Sequence, residues 1–242
     1  MHNANAYSLE EQTAIYKVIR ERRDMRHFLP TPVDSAILQK IFTSAHHAPS
    51  VGLMQPWRFI RITDLQIRQA IHKQVDAERL KTAFAIGELE SNSNGYDLNK
   101  HELKGFESKS AAFLKLKVEG ILECGELLVV ALCDKRESAI FGRRTLPEMD
   151  IASVSCAIQN MWLAARAEGL GLGWVSMFDP VKLAQLLNMP ADTKPIAILC
   201  LGHVASFYKE PMPVETGWKT EKPLNEMLME NSWNHCDTKY AI

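Results

Sequence analysis

The chain has 242 residues, a formal net charge of -1 and 46% hydrophobic residues, enough apolar content for a sizeable core. Acids and bases are interspersed, which argues against general nucleic-acid binding, and no stretch approaches the ~20 apolar residues of a membrane span. The polar start, Met1 to Glu11, lacks the apolar heart of a signal peptide, so the expectation is a cytoplasmic protein with no membrane or nucleic-acid partner.

Ser8 and Glu11 fit a capping box, and Ile15, Val18, Ile19 and Arg22 share one face of the helix that follows. That helix delivers Arg22 at its exit, with Pro30 and Pro32 expected to stop it. Arg22-Arg23-Asp24-Met25-Arg26 then gathers three guanidinium groups around one carboxylate. Forks of N–H donors match a phosphate bidentately, so the cluster can bind a dianion; equally, it can be a solvated helix end. Asp24 has no use in a plain phosphate clamp. It is either a salt-bridge partner or a group that does chemistry beside a phosphorylated ligand.

Asp34 is an N-cap for a second helix with the stripe Ile37, Leu38, Ile41, Phe42 and Ala45, ending near Pro49. Ala48 to Phe59 is the second dense signal: a helix stop, a small-residue turn with free N–H groups, Gln55, and an aromatic at a strand entrance. It suits the polar edge or phosphate of a planar heteroaromatic through Ser50 and backbone N–H groups, or it is a plain turn. Trp57–Ile62 predicts a strand, followed by a helix from about Asp64 through Leu80. Glu88–Lys109 is the least hydrophobic window, and a lid is expected at about 88–120.

Leu127–Cys133 and Ile196–Leu201 are continuous apolar runs, predicting strands buried on two faces. Between them Ile151, Val154, Ile158, Met161, Trp162 and Ala165 mark a long helix. Gly169, Gly171 and Gly173 are expected to end it and lead into a strand over Trp174–Phe178. These glycines close a helix rather than open one, which excludes a dinucleotide fingerprint. His46 and His47 point about 100° apart on a helix and do not make a metal site; no metal is expected. Ser176 lacks a nucleophile elbow, and its hydroxyl remains either a ligand donor or a structural group. Cys124, Cys133, Cys156, Cys200 and Cys236 show no Cys-x-x-Cys pair and read as reduced core thiols. Phe207–Ile242, with Pro211, Pro213 and Pro223, reads as an arm over about 207–242 that packs on a partner subunit. No linker divides the chain, so one domain over 1–242 is expected, in a homodimer.

Taken together, Arg22 to Arg26, Ala48-Pro49-Ser50-Val51-Gly52 through Gln55-Pro56-Trp57, Phe141-Gly142-Arg143, Met149-Asp150, Gln159 to Gly169 and Gly173 to Ser176 resemble the flavin-binding nitroreductase superfamily. Within it they are most similar to the 5,6-dimethylbenzimidazole synthases, over about Ala14 to Trp233. Generic members usually carry Ser where this chain has Asp24. The resemblance implies an α+β nitroreductase-like fold, with a central, mostly antiparallel sheet flanked by helices. It also implies a homodimer with an exchanged C-terminal arm and two flavin sites built from both chains. The implied substrate is reduced FMN, fed by a separate NAD(P)H-flavin reductase and cleaved with dioxygen as co-substrate. The products are 5,6-dimethylbenzimidazole and erythrose 4-phosphate. By position, Arg22, Arg23 and Arg26 would hold the phosphate and pyrimidine edge, with Met25, Ser50, Gly52, Gln55 and Val175 also lining the flavin. Leu116 and Val118 would cover it, and Lys219 would supply a further cation. Asp24 and Ser176 would carry the chemistry. An FMN-dependent NAD(P)H nitroreductase or quinone reductase and a non-catalytic flavin-binding protein are the alternatives.

Overall fold

The computed structural model describes residues 5–92, 118–133, 145–217 and 219–233, with the side chains of 85–92 outside that description. Leu116, Phe141-Gly142-Arg143, Trp218, Cys236, residues 93–117 of the expected lid and the end of the arm therefore lie outside the described residues.

Helix α1, Leu9–Glu21, begins as its sequence predicts. The Ser8 hydroxyl accepts from Glu11 N at 3.2 Å and the Glu11 carboxylate accepts from Ser8 N at 2.8 Å. Its end differs from expectation. The chain leaves the helix at Arg22, whose backbone is extended (φ -62°, ψ 135°), well before Pro30. The cause is tertiary, since residues 24–25 are drawn into pairing with a strand of the sheet. None of the residues of α1 is buried, and Ile15 and Ile19 remain exposed.

Helix α2, Ser35–His46, is capped by Asp34, whose carboxylate accepts from Ala36 N and Ile37 N at 2.8 and 3.2 Å. Strand β1, Trp57–Ile62, falls where its aromatic and β-branched content puts it. Helix α3 runs from Leu65 to Asn92, twelve residues past Leu80 and into the window read as an excursion. Low hydrophobicity there reflects a polar helix, not a helix end: Lys, Ala, Leu and Glu have favourable helix propensity, and a single Gly87 does not stop the run.

Strand β2 is Glu126–Cys133, helix α4 Met149–Ala167, strand β3 Gly171–Val175, helix α5 Pro180–Leu186, strand β4 Thr193–Gly202 and helix α6 Met212–Glu215. The sheet order is β1-β2-β4-β3, antiparallel at every step. The mixed helix and antiparallel sheet agree with the expected α+β class. The two apolar runs are its central strands, with alternate side chains entering different cores. Leu128, Val130, Leu132, Ala197, Leu199 and Leu201 meet α2 and α4, while Leu127, Val129, Ile198 and Cys200 meet Ile71 and Val75 of α3, Ile121 and Leu183 of α5. Central strands of an antiparallel sheet can thus be apolar throughout when both faces are covered.

Strand β3 begins at Gly171, not at Trp174. Gly171 and Gly173 lie inside the strand, opposite Gly202 and Cys200 of β4. Glycines at these positions serve a close approach. A Cβ on Gly173 would stand 2.1 Å from the Met25 carbonyl oxygen, and one on Gly171 would stand 3.0 Å from Met25 Cγ. Cys124, Cys133, Cys156 and Cys200 are all free; Cys124 and Cys200 are buried, Cys133 is half-buried, and Cys156 is exposed on α4 rather than in the core. A hydrogen bond between the first two lowers the Cys124 thiol pKa and raises that of Cys200, with burial adding to the rise. Among the described residues no helix is long and apolar enough to cross a membrane.

Candidate active site

The arginine motif is laid along the outer edge of β3. Asp24 forms a parallel bridge with Leu172, and Met25 N donates to Leu172 O at 3.0 Å. Met25 is 1% exposed and plugs the core cluster that also holds Val175 and Phe28. Side chains continue the pairing. Asp24 Oδ1 accepts from Trp174 N at 2.9 Å, Arg26 Nη2 donates to Trp174 O at 2.9 Å, and the same Nη2 meets Asp24 Oδ2. Ser176 follows directly after the strand and is exposed, so the structure brings Asp24 and the strand leading to Ser176 together.

Other groups pin the motif from behind. Arg166 of α4 donates to Glu21 O at 3.3 Å and pairs with the Glu21 carboxylate at 3.2 Å, closing the end of α1. Trp162 Nε1 donates to Arg23 O at 3.0 Å, and the Arg22 guanidinium lies 4.7 Å over the Trp162 ring. Arg23 directs Nη1 to the carbonyls of Arg20 and Arg22 at 2.7 and 2.8 Å and Nη2 to that of Lys209 at 2.7 Å, tying the motif to the segment that follows β4. His27, next in sequence, meets Tyr208 Oη at 2.8 Å and Glu119 at 3.1 Å. Burial pushes the Tyr208 hydroxyl pKa up.

The second segment is shaped by its own backbone. Gly52, Leu53 and Gln55 are left-handed (φ 55°, 53° and 42°), two of them without the freedom of glycine. Ser50 Oγ accepts from Gln55 N at 3.1 Å, and Ser153 Oγ of α4 accepts from Val51 N at 3.2 Å while donating to Met149 O at 2.7 Å. A turn of this kind costs conformational energy and is held by its surroundings. The Ser50 turn and the arginine motif share one support. Both dock on α4, one at Ser153 and the other at Trp162, nine residues or about 13 Å along the axis.

Val118 is 5% exposed and packs into the cluster of Met25 and Phe28. Lys219 is exposed and its N–H is held by Pro213 O at 3.0 Å. His46 accepts from Trp57 Nε1 at 3.4 Å, and among the described residues no cluster of three His, Cys, Asp or Glu side chains is placed to hold a metal. Trp162, Arg166 and Ser153 were invisible as site residues, since the sequence shows only their helical face. The one signal was the indole of Trp162, whose N–H needs a partner when buried.

The fold and the motif laid against β3 define a class, and comparison agrees. Residues 19–203 match the Nitroreductase family, and the chain belongs to it; it is an oxidoreductase of that family. Similarity to one branch is specific. The chain is 34% identical to the 5,6-dimethylbenzimidazole synthase of Rhodospirillum rubrum, over 84% of this chain and 87% of that protein. It is also 34% identical to the 5,6-dimethylbenzimidazole synthase of Rhodobacter capsulatus, over 88% and 96%. The fold is shared with the NADPH:FMN oxidoreductase of Vibrio harveyi, at TM-score 0.63 and 16% identity, covering 93% of this chain and 80% of that one. The branch resemblance carried by the motifs is thus borne out.

Proposed function

We propose that the protein cleaves reduced FMN with dioxygen to give 5,6-dimethylbenzimidazole and erythrose 4-phosphate, with the pyrimidine part of the flavin, which enters neither product, released as a separate oxidised fragment. The observation that carries the reading is Asp24, a carboxylate set inside an anion-binding motif and fixed by Arg26 and Trp174 N on the strand that leads to Ser176. Two synthases as relatives support the same reaction. The residues fit a flavin phosphate: Arg22 stacks on Trp162, and among the described residues no hydrogen bond or ion pair uses its guanidinium. The left-handed turn at Gly52–Gln55 supports the same fit, since such turns can aim backbone N–H groups at an acceptor.

Reduced FMN supplies the electrons for dioxygen and the carbon skeleton of the product. The protein's groups bind and move protons. Arg22 holds the phosphate, Ser50 and the turn through Gln55 take a polar edge, and the exposed Ser176 hydroxyl donates to the ring system. Asp24 accepts a proton at the junction of ring and ribityl chain. The separation of the two segments on α4 supports a homodimer in which each flavin site takes the arginine motif from one chain and the Ser50 turn from the other. In this reading a separate NAD(P)H-flavin reductase feeds a cytoplasmic enzyme.

The test supplies the protein with FMN, an added flavin reductase, NAD(P)H and air, and looks for 5,6-dimethylbenzimidazole by chromatography. Product is expected. Its persistent absence with reduced flavin bound would overturn the reading, and NADPH-dependent nitroaromatic turnover by the protein alone would replace it with a nitroreductase. Asp24→Asn is expected to bind flavin and lose at least about 100-fold in product formation, the usual weight of general acid–base catalysis. An unchanged yield removes Asp24 from the chemistry.

A further inference from the structure

Two buried thiols lie in one core cluster, on the side of the sheet that faces α3. Cys200 belongs to β4, opposite Leu127 of β2, and Cys124 sits between the helical residues 118–123 and the start of β2. They are 1% and 2% exposed. Small residues let these segments close on each other: a Cβ on Gly202 would stand 2.9 Å from Gly125 N, the residue after Cys124. Cys124 Sγ donates to Ile121 O at 3.8 Å, and Arg68 of α3 donates to Cys124 O at 2.9 Å, which brings a guanidinium to the same end of the strand. The bond between the two thiols and the Arg68 charge lower the Cys124 pKa against the effect of burial, while Cys200 is held as a thiol. One sulfur is thereby primed as a nucleophile and its neighbour keeps a proton to give up, the division of labour of an attacking and a resolving cysteine. Cys133 and Cys156 lie outside this cluster.

We infer that Cys124 and Cys200 are an oxidative modification site, a buried dithiol that a peroxide closes to an intramolecular disulfide tying the start of β2 to β4. The Cys124 thiolate attacks one peroxide oxygen, forming an S–O bond and breaking the O–O bond; the hydroxide that leaves takes up the proton Cys124 had lost and becomes water. The Cys200 sulfur then attacks the Cys124 sulfenic sulfur, forming the S–S bond and breaking S–O, and its proton departs with that oxygen as a second water. Two thiols give up two electrons and one peroxide accepts them. Hydrogen peroxide is little larger than water, so it reaches the pair through local openings of the core that exclude bulky thiol reagents. The site rests on the core of this chain and stands independently of the flavin reading.

The experiment uses the full chain, reduced and freed of reductant, and adds hydrogen peroxide in steps until the exposed Cys156 is oxidised. Catalase removes the peroxide, the remaining thiols are alkylated in denaturant, and the peptides are mapped without reduction by mass spectrometry. A peptide pair joined through Cys124 and Cys200 is expected, about 2 Da lighter than the two free thiols and released by dithiothreitol. Cys200→Ser removes the resolving sulfur, so Cys124 is expected to remain a sulfenic acid and to take a dimedone label that the wild type lacks at that position. The inference is overturned if Cys124 and Cys200 are both recovered as alkylated thiols at a dose that oxidises Cys156, if either is joined instead to a different cysteine, or if folded Cys200→Ser takes the label at Cys156 alone. Should Cys200→Ser not fold, the wild-type map alone decides.

Discussion

Gly173→Ala tests whether the arginine motif is held where the structure puts it. An added Cβ would stand 2.1 Å from Met25 O, 3.3 Å from Met25 C and 3.4 Å from Arg26 Nη1. An ordinary carbon contact is about 3.5 Å, so the motif must retreat by more than about 1 Å. The opposing atom is backbone and cannot rotate away. Retreat stretches the bonds of Met25 N to Leu172 O, Asp24 to Trp174 N and Arg26 to Trp174 O together. Overpacking of this sort costs about 1–3 kcal/mol, and partial loss of the bonds puts the expected cost near the upper end, at about 3 kcal/mol. For a chain of this size that lowers the melting temperature by about 6–12 °C, read by differential scanning calorimetry. Gly169→Ala is the control: its φ is 77° but nothing lies within 4 Å, so only backbone strain of about 1 kcal/mol is expected. A Gly173→Ala protein that melts like the wild type, or no lower than Gly169→Ala, would refute the close packing of Met25 on β3.

Two further outcomes follow from Ser153 and Tyr208, and neither needs the reaction to be known. Ser153→Ala removes the acceptor of Val51 N and should cost about 1 kcal/mol in urea unfolding, with the Ser50 turn gaining proteolytic sensitivity at the exposed Leu53. Tyr208 has its folded-state pKa raised above the ordinary value of 10.0 by burial. The folded form therefore holds its proton more tightly than the unfolded chain. The associated stability is fully present below about pH 10 and is lost as pH rises through the folded pKa. Urea midpoints compared at pH 9 and above pH 10 should show a smaller loss in Tyr208→Phe than in the wild type; equal losses would place the effect elsewhere.

Much of the fold was legible from short-range signals. Ser8 with Glu11, and Asp34 before its helix, encode helix starts within three residues, and the apolar runs at β2 and β4 encode strands covered on both faces. The motif windows at Arg22–Arg26 and Ser50–Gln55 were legible as dense clusters of unusual residue types. Where local reading failed, a distant partner had the deciding vote. The glycines after α4 looked like punctuation, yet pairing with β4 makes Gly171 and Gly173 part of β3. The helix read as ending near Leu80 continues through Asn92, since its polar residues still favour helix.

By itself, the sequence determined the helix starts at Ser8 and Asp34, the two central strands, the family branch and the presence of a carboxylate among three guanidinium groups. Only the tertiary structure decided what each of those groups does. Arg23 turned to three backbone carbonyls, Arg26 to Asp24 and Trp174, and Arg22 to the face of Trp162. The partners of Asp24 and Arg26 on β3 lie about 150 residues away in sequence. Side-chain charge fixes what a group can bind, but the hydrogen bonds it makes depend on which donors and acceptors the fold leaves unsatisfied beside it.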